Sequence, residues 1–201
     1  MKPSLLLTDL GGVLLTNGWD RNTRRALAEH FCIPVPVMEE CHRLTYDTYE
    51  AGKTDIWTYL DRVVFFEPRP YTPQEVFEFI LEQASPIPEM IALVKELKAR
   101  HGFKIGVVSN EGREIAEDRV RRFALGEFID FFVISGFVGM RKPDLGIWKL
   151  ALDIAQVAPG EAAYLEDRRM FADVAATLGL RSVWHRDAAH TREALAALGW
   201  D

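Results

Sequence analysis

Cysteine is scarce, with Cys32 and Cys41 the only two in 201 residues. Two thiols do not make a disulfide framework, and without a matching histidine pattern they do not make a zinc site, so both are expected to be reduced. Long apolar runs are also missing. The first apolar stretch is short and is interrupted by Asp9, which fits neither a membrane span nor a secretory leader; a cytoplasmic protein without a membrane partner is expected. Positive charge is not in excess either. Lys and Arg number 24 against 30 Asp and Glu, for a net charge of -6, which argues against nucleic acid as a partner and leaves room for a local basic pocket. There is no internal repeat and no low-complexity tract.

What is present suits a globular protein. At 48% hydrophobic and 27% charged residues, the chain can bury a sizeable core as one domain with an insertion or as two small ones. Its organising stretch is Ser4-Leu5-Leu6-Leu7-Thr8-Asp9-Leu10-Gly11-Gly12-Val13. A nearly unbroken apolar run predicts a strand buried on both faces, as in a parallel sheet. It stops at Asp9, and the two glycines after it allow a tight turn and close approach to a ligand.

Segments 20–32, 37–51, 55–66 and 72–84 read as helices, separated by Ile33-Pro34-Val35-Pro36, Gly52-Lys53-Thr54 and Pro68-Arg69-Pro70. From Pro88 onward helix and strand alternate, with strands expected at 104–109, 131–134, 162–165 and 182–184. Strands joined by helical crossovers imply an α/β fold with a parallel sheet covered on both faces, and the helical stretch 17–85 becomes an insertion after the first strand. Polar residues gather where strands end: Asp9, then Ser109 and Asn110, then Glu166 and Asp167, with Lys142 in the loop Gly139-Met140-Arg141-Lys142-Pro143-Asp144. Ligands of open α/β sheets bind beyond those ends, so the separate polar groups point to one site.

This constellation resembles the haloacid dehalogenase-like hydrolase superfamily over essentially the whole chain. Asp9 in Thr-Asp-Leu-Gly-Gly-Val, Ser109-Asn110, Lys142 in Gly-Met-Arg-Lys-Pro and Glu166-Asp167 carry the resemblance. It implies a Rossmann-like core at 1–15 and 87–201 with a helical cap at 16–86, and it is nearest to small bacterial sugar-phosphate phosphatases. By resemblance Asp9 attacks phosphorus, Mg2+ is held by Asp9, the Gly11 carbonyl and Asp167, Ser109 donates to a phosphoryl oxygen, and Lys142 pairs with Asp9 and the phosphate. A phosphoryl group must be neutralised before a carboxylate attacks it, which is why a cation and a lysine stand beside the nucleophile. The implied partner is a small phosphorylated metabolite, with the protein a monomer or homodimer.

The sequence also departs from that family. Where most such phosphatases carry a second aspartate two residues after the nucleophile, this chain has Gly11; general acid–base help of that kind is worth ~10²–10⁴-fold. A less basic leaving group, such as that of an anomeric or acyl phosphate, is therefore expected, or an acid recruited from the cap, with His42 the candidate. Phe171 stands where asparagine is common, Glu166 replaces a frequent aspartate, and Asp173 is a candidate for the missing polar contact. By resemblance Asn110 orients the neighbouring loop or the substrate; the other candidate substrate contacts are Asn17, Trp19, His42, Tyr46 and Tyr49, the last three spaced to share one helix face, while Trp57, Tyr59, Phe65 and Phe66 are assigned to packing. Two other readings remain: a noncatalytic phosphate-ligand sensor or partner-binding protein, and a 2-haloacid dehalogenase, which needs no magnesium.

Overall fold

The computed structural model describes residues 4–200; the expected core segments reach residues 1–3 and 201, which lie outside the described residues. Strands β1 (Leu5–Thr8), β2 (Lys104–Ser109), β3 (Phe131–Ile134), β4 (Ala162–Glu166) and β5 (Arg181–Trp184) form one parallel sheet in the order β3-β2-β1-β4-β5. β1 is central because its residues are apolar on both faces: Leu6 packs into one core cluster, and Leu5 and Leu7 into the other. The helices are α1 (Arg21–His30), α2 (Val35–Glu50), α3 (Ile56–Val63), α4 (Pro73–Glu82), α5 (Pro88–His101), α6 (Arg113–Arg122), α7 (Ser135–Val138), α8 (Leu145–Ala155), α9 (Arg169–Ala176) and α10 (Ala188–Ala197). Helices α5, α6 and α10 supply Val94, Ala116 and Leu195 to the first cluster, and α8 and α9 supply Trp148 and Ala175 to the second. The chain goes from β1 to β2 and β3 on one side, then crosses to β4 and β5 on the other, which opens a crevice at the carboxyl end of β1.

Helices α1 to α4 build a third apolar cluster around Trp19, Leu27, Met38, Tyr49, Tyr59 and Ile80. Their starts follow ordinary capping chemistry. The Asp20 carboxylate accepts from the Asn22 and Thr23 amides at 2.8 and 2.9 Å, and Thr72 and Glu75 cap each other reciprocally. α2 begins at Val35, two residues earlier than the proline-rich break implies, because Pro36 lies in its first turn, where a missing N–H costs nothing. The single turn α7 is too short to leave a periodic signal in the sequence.

The chain enters and leaves this helical layer side by side. Thr16 N donates to Ser85 O at 2.8 Å, and Ile87 N donates to Leu14 O at 2.9 Å. Tyr49 lies against Gly112, and the Gly52 backbone lies against the Gly136 carbonyl, both contacts too close for a Cβ. No helix among the described residues is long and apolar enough to cross a membrane.

Candidate active site

β1 delivers Asp9 to the crevice, where the Leu10 amide donates to Oδ1 at 2.8 Å and Lys142 Nζ stands 2.9 Å from Oδ2. Lys142 arrives on the loop after α7, and Asn110 fixes that loop. The Asn110 Nδ2 donates to the Lys142 carbonyl at 2.9 Å, and the Lys142 amide donates back to Asn110 Oδ1 at 2.7 Å. Asn110 thus lines the cavity with both ends of its amide engaged by the Lys142 backbone. The Lys142 side chain is buried and also donates to Glu166 Oε2 at 2.7 Å and to the Tyr164 hydroxyl at 3.2 Å. Burial pulls its pKa down, but the carboxylates of Asp9 and Glu166 outweigh burial and leave it raised.

Glu166 and Tyr164 are two residues apart on β4 and so share a face, with the Tyr164 hydroxyl donating to Glu166 Oε2 at 2.5 Å. Burial, then the Asp9 charge, push the Glu166 carboxyl up to about 8, against the pull of Lys142 and Tyr164. Both Glu166 oxygens have protein partners, since Oε1 accepts from the Arg168 amide at 3.1 Å. Asp167 differs. Its Oδ2 accepts from Asn17 Nδ2 at 3.3 Å, while its buried Oδ1 has no partner among the described residues.

Ligand atoms of Asp9, Glu166 and Asp167 lie within 4.8 Å of one another. An orphaned buried carboxylate oxygen beside other oxygen donors fits a hard divalent cation of the magnesium kind. Gly12, at a φ of 75°, brings its backbone against the Asp167 carboxylate where no side chain fits.

Above these groups lies a cavity of about 340 Å³. Asp9, Gly11, Ser109, Lys142 and Phe171 line it from the sheet side, and Asn17, Trp19, Arg24, His42 and Tyr46 line it from the helical layer. Ser109 is buried at the end of β2. The Phe171 ring takes the place expected for a polar residue, with its centroid 5.3 Å from Lys142 Nζ. Asp173 does not compensate, because it is exposed and faces Arg169 at 3.7 Å.

The seat of the absent second carboxylate is filled. A Cβ on Gly11 would lie 2.7 Å from Asn17 Oδ1 and 3.9 Å from Arg119 Nη1. Arg119 forms a buried ion pair with Glu111, whose other oxygen has no partner among the described residues. Burial raises the Glu111 pKa, Arg119 opposes the rise, and Asp9 adds to it. His42 is held neutral: burial first, then Arg24, push its pKa to about 4, so at neutral pH it is an imidazole and not an imidazolium.

Several residues at the site escaped the sequence reading. Arg141, next to Lys142, reaches across to α2 and places Nη1 2.6 Å from Asp47 and Nη2 2.5 Å from Glu50. Tyr59 packs as expected, yet its hydroxyl also bonds Trp19 and His42. The signals were adjacency for Glu111 and Arg141, each beside a motif residue. For Arg119 and Tyr59 no local signal existed, because their partners are distant in sequence.

The family model described as haloacid dehalogenase-like hydrolase matches residues 3–179. A glyceraldehyde 3-phosphate phosphatase of Pyrococcus furiosus is 31% identical over 90 residues, covering 43% of this chain and 37% of that protein. The chain thus spans little more than a third of that curated relative's length. A phosphorylated carbohydrates phosphatase of Thermotoga maritima is 24% identical over 185 residues, covering 89% and 83% of the two chains. Among solved structures, a haloacid dehalogenase-family enzyme of Bacteroides thetaiotaomicron, in complex with magnesium and inorganic phosphate, superposes with a TM-score of 0.78 at 20% identity, covering 94% of this chain and 98% of that one. A match over most of the chain, together with the parallel sheet and the strand-end carboxylates, shows that this protein belongs to the haloacid dehalogenase-like hydrolases.

Proposed function

We propose that the protein is a magnesium-dependent phosphatase that hydrolyses a small phosphorylated metabolite of the sugar-phosphate class. The observation that carries this reading is the pairing of Asp9 with buried Lys142 beside the Oδ1 of Asp167, which has no partner among the described residues. The Asp9 carboxylate attacks phosphorus, the bond to the leaving oxygen breaks, and an aspartyl-phosphate forms on Asp9; water then cleaves it and restores the carboxylate. Lys142 offsets charge on the phosphoryl oxygens, and Ser109 donates to one of them. Magnesium, held by Asp9, the Gly11 carbonyl and Asp167, supplies further neutralisation of the phosphoryl charge when bound. The helical layer at 16–86 acts as a cap that excludes water and reads the alcohol part of the substrate, over a core formed by 1–15 and 87–201.

With Gly11 in place of a second acid and His42 neutral, proton delivery to the leaving oxygen is weak. Esters whose alcohols leave readily, such as anomeric and acyl phosphates, are therefore the favoured substrates. The filled seat beside Gly11 favours a second reading, a noncatalytic sensor of a phosphate ligand. Phosphate release is the test, measured with and without magnesium on anomeric sugar phosphates, their 6-phosphate isomers and an acyl phosphate, alongside Asp9→Asn. Magnesium-dependent release that disappears in Asp9→Asn is expected. Saturable binding without release would favour the sensor, and chloride release from a 2-haloacid without metal would favour dehalogenation.

A further inference from the structure

We propose that Trp19, Tyr59 and His42 form a directed hydrogen-bond relay that fixes the His42 imidazole with its proton on Nε2, presenting an uncharged donor to the cavity that reads an uncharged oxygen on the substrate's alcohol part. The clause about substrate rests on the phosphatase reading above; the relay does not.

The direction follows from which groups are able to donate. Trp19 Nε1 is a donor only, and it lies 3.0 Å from the Tyr59 hydroxyl, which therefore accepts. Tyr59 is 1% exposed, and among the described residues its only other hydroxyl partner is His42 Nδ1, at 2.7 Å. Were Nδ1 to donate, the Tyr59 proton would be buried without an acceptor, which costs far more than a satisfied hydroxyl. Tyr59 therefore donates, Nδ1 accepts, and the neutral ring carries its proton on Nε2.

The setting keeps the ring neutral and in place. His42 projects from α2 between Arg24 of α1 and Tyr59 of α3, with Glu39, Tyr46 and Asp47 on its own helix; Arg24 disfavours an imidazolium there, while Glu39 and Asp47 favour one less strongly. The Tyr46 ring lies tilted against His42, with the ring centroids 4.5 Å apart. Arg24, which also lines the cavity, is held by Glu39 at 2.7 and 3.0 Å and by the Trp19 carbonyl at 3.1 Å, bonds that engage three of its five N–H groups and fix it as a charged neighbour of the ring. What His42 offers is thus a single neutral N–H, suited to a hydroxyl or ring oxygen and indifferent to a hydrocarbon.

The experiment pairs nitrogen NMR of the full chain with calorimetric binding of two esters' phosphonate analogues that are not hydrolysed, one of a hexose 1-phosphate and one of phenyl phosphate. At neutral pH His42 should show a bare Nδ1 and a protonated Nε2, and Tyr59→Phe should give a mixture of tautomers. Tyr59→Phe should weaken hexose phosphonate binding about 3–10-fold more than phenylphosphonate binding, the loss of one neutral hydrogen bond. His42→Leu removes the donor without touching the Trp19–Tyr59 bond and should lose the same preference; His42→Gln, which keeps an N–H, should recover part of it. A proton on Nδ1 in the wild type, or equal losses on both phosphonates in His42→Leu, would overturn the relay's role. Absence of phosphate release with selective binding intact would count against the phosphatase reading alone.

Discussion

Lys142 Nζ lies 2.7 Å from Glu166 Oε2 and 2.9 Å from Asp9 Oδ2, so one buried ammonium is shared by two buried carboxylates. Removing the ammonium leaves the buried Asp9 carboxylate without its counter-ion and the Glu166 carboxyl, already pushed up to about 8, without its donor. Lys142→Met should destabilise the fold by about 3–5 kcal/mol, the usual cost of breaking a buried pair from one side. Adding Glu166→Gln puts a neutral amide in place of a carboxyl that must otherwise take up a proton beside Asp9, and should return part of that loss. Urea unfolding of both single variants and the double variant measures the coupling; strict additivity would mean that Glu166 and Lys142 do not interact energetically.

Gly11→Asp restores the second carboxylate of the family pattern, yet it should not restore its chemistry. The new Cβ meets Asn17 Oδ1 at 2.7 Å with Arg119 next behind it, so the side chain either displaces Asn17 or turns onto the guanidinium. Lower stability and no gain on an alkyl phosphate are expected from the single variant. Adding Asn17→Ala opens the seat, and turnover of alkyl phosphate by the double variant should exceed that of the single one several-fold, within the ~10²–10⁴ span of acid–base assistance. Equal rates in the two variants would show that Asn17 is not the obstruction.

These cases mark how far the sequence was legible. β1 was readable because three consecutive leucines serve both faces of a parallel sheet, and β2 and β3 matched their expected bounds. The strand-end positions of Asp9, Ser109 and Asp167 were readable because strand ends in such sheets converge, and Lys142 stood out through the loop motif that carries it. Contacts that span the chain were not readable. Arg119 beside Gly11, Arg141 on Asp47 and Glu50, and Tyr59 between Trp19 and His42 each join elements whose relative placement depends on packing. Asn110 was expected to orient the neighbouring loop or the substrate; its amide bonds both backbone groups of Lys142, a pairing whose partner required the loop's conformation.

Arg141 ties the helical layer to the loop that carries Lys142. Burial raises the Glu50 pKa and Arg141 opposes that rise, so Arg141→Ala strands a buried carboxylate at the seam. Glu50 Oε2 lies 2.5 Å from Arg141 Nη2 without the alignment of a hydrogen bond, which makes the contact chiefly one of charge. The loss should be about 2 kcal/mol, below that of a fully buried pair because Arg141 is partly exposed. Tyr49 against Gly112 and Gly52 against Gly136 still hold the layers together, so the variant should loosen the layer rather than release it. Faster hydrogen exchange in α2 with unchanged exchange in β1 is the expected pattern. Unaltered exchange in α2 would remove Arg141 from any part in holding the layer closed.

The neutral state of His42 makes the fold sensitive to acid. Its pKa falls from 6.5 to about 4 on folding, so between those pH values the unfolded chain holds a proton that the folded protein lacks. Stability from this group is complete above pH 6.5 and is lost as pH falls toward 4. Because the ring is partly open to the cavity, the effect is about 1–2 kcal/mol rather than the full value of the shift. His185, buried and bonded to Thr191 through Nδ1 at 2.7 Å, is shifted downward by burial and adds to the same trend. His42→Gln separates the two. The fall in Tm from pH 7 to pH 5 should be smaller in His42→Gln than in the wild type, with the remainder attributable to His185 and other groups; an identical fall in both proteins would mean that His42 is protonated without cost and that the Tyr59 bond does not hold it neutral.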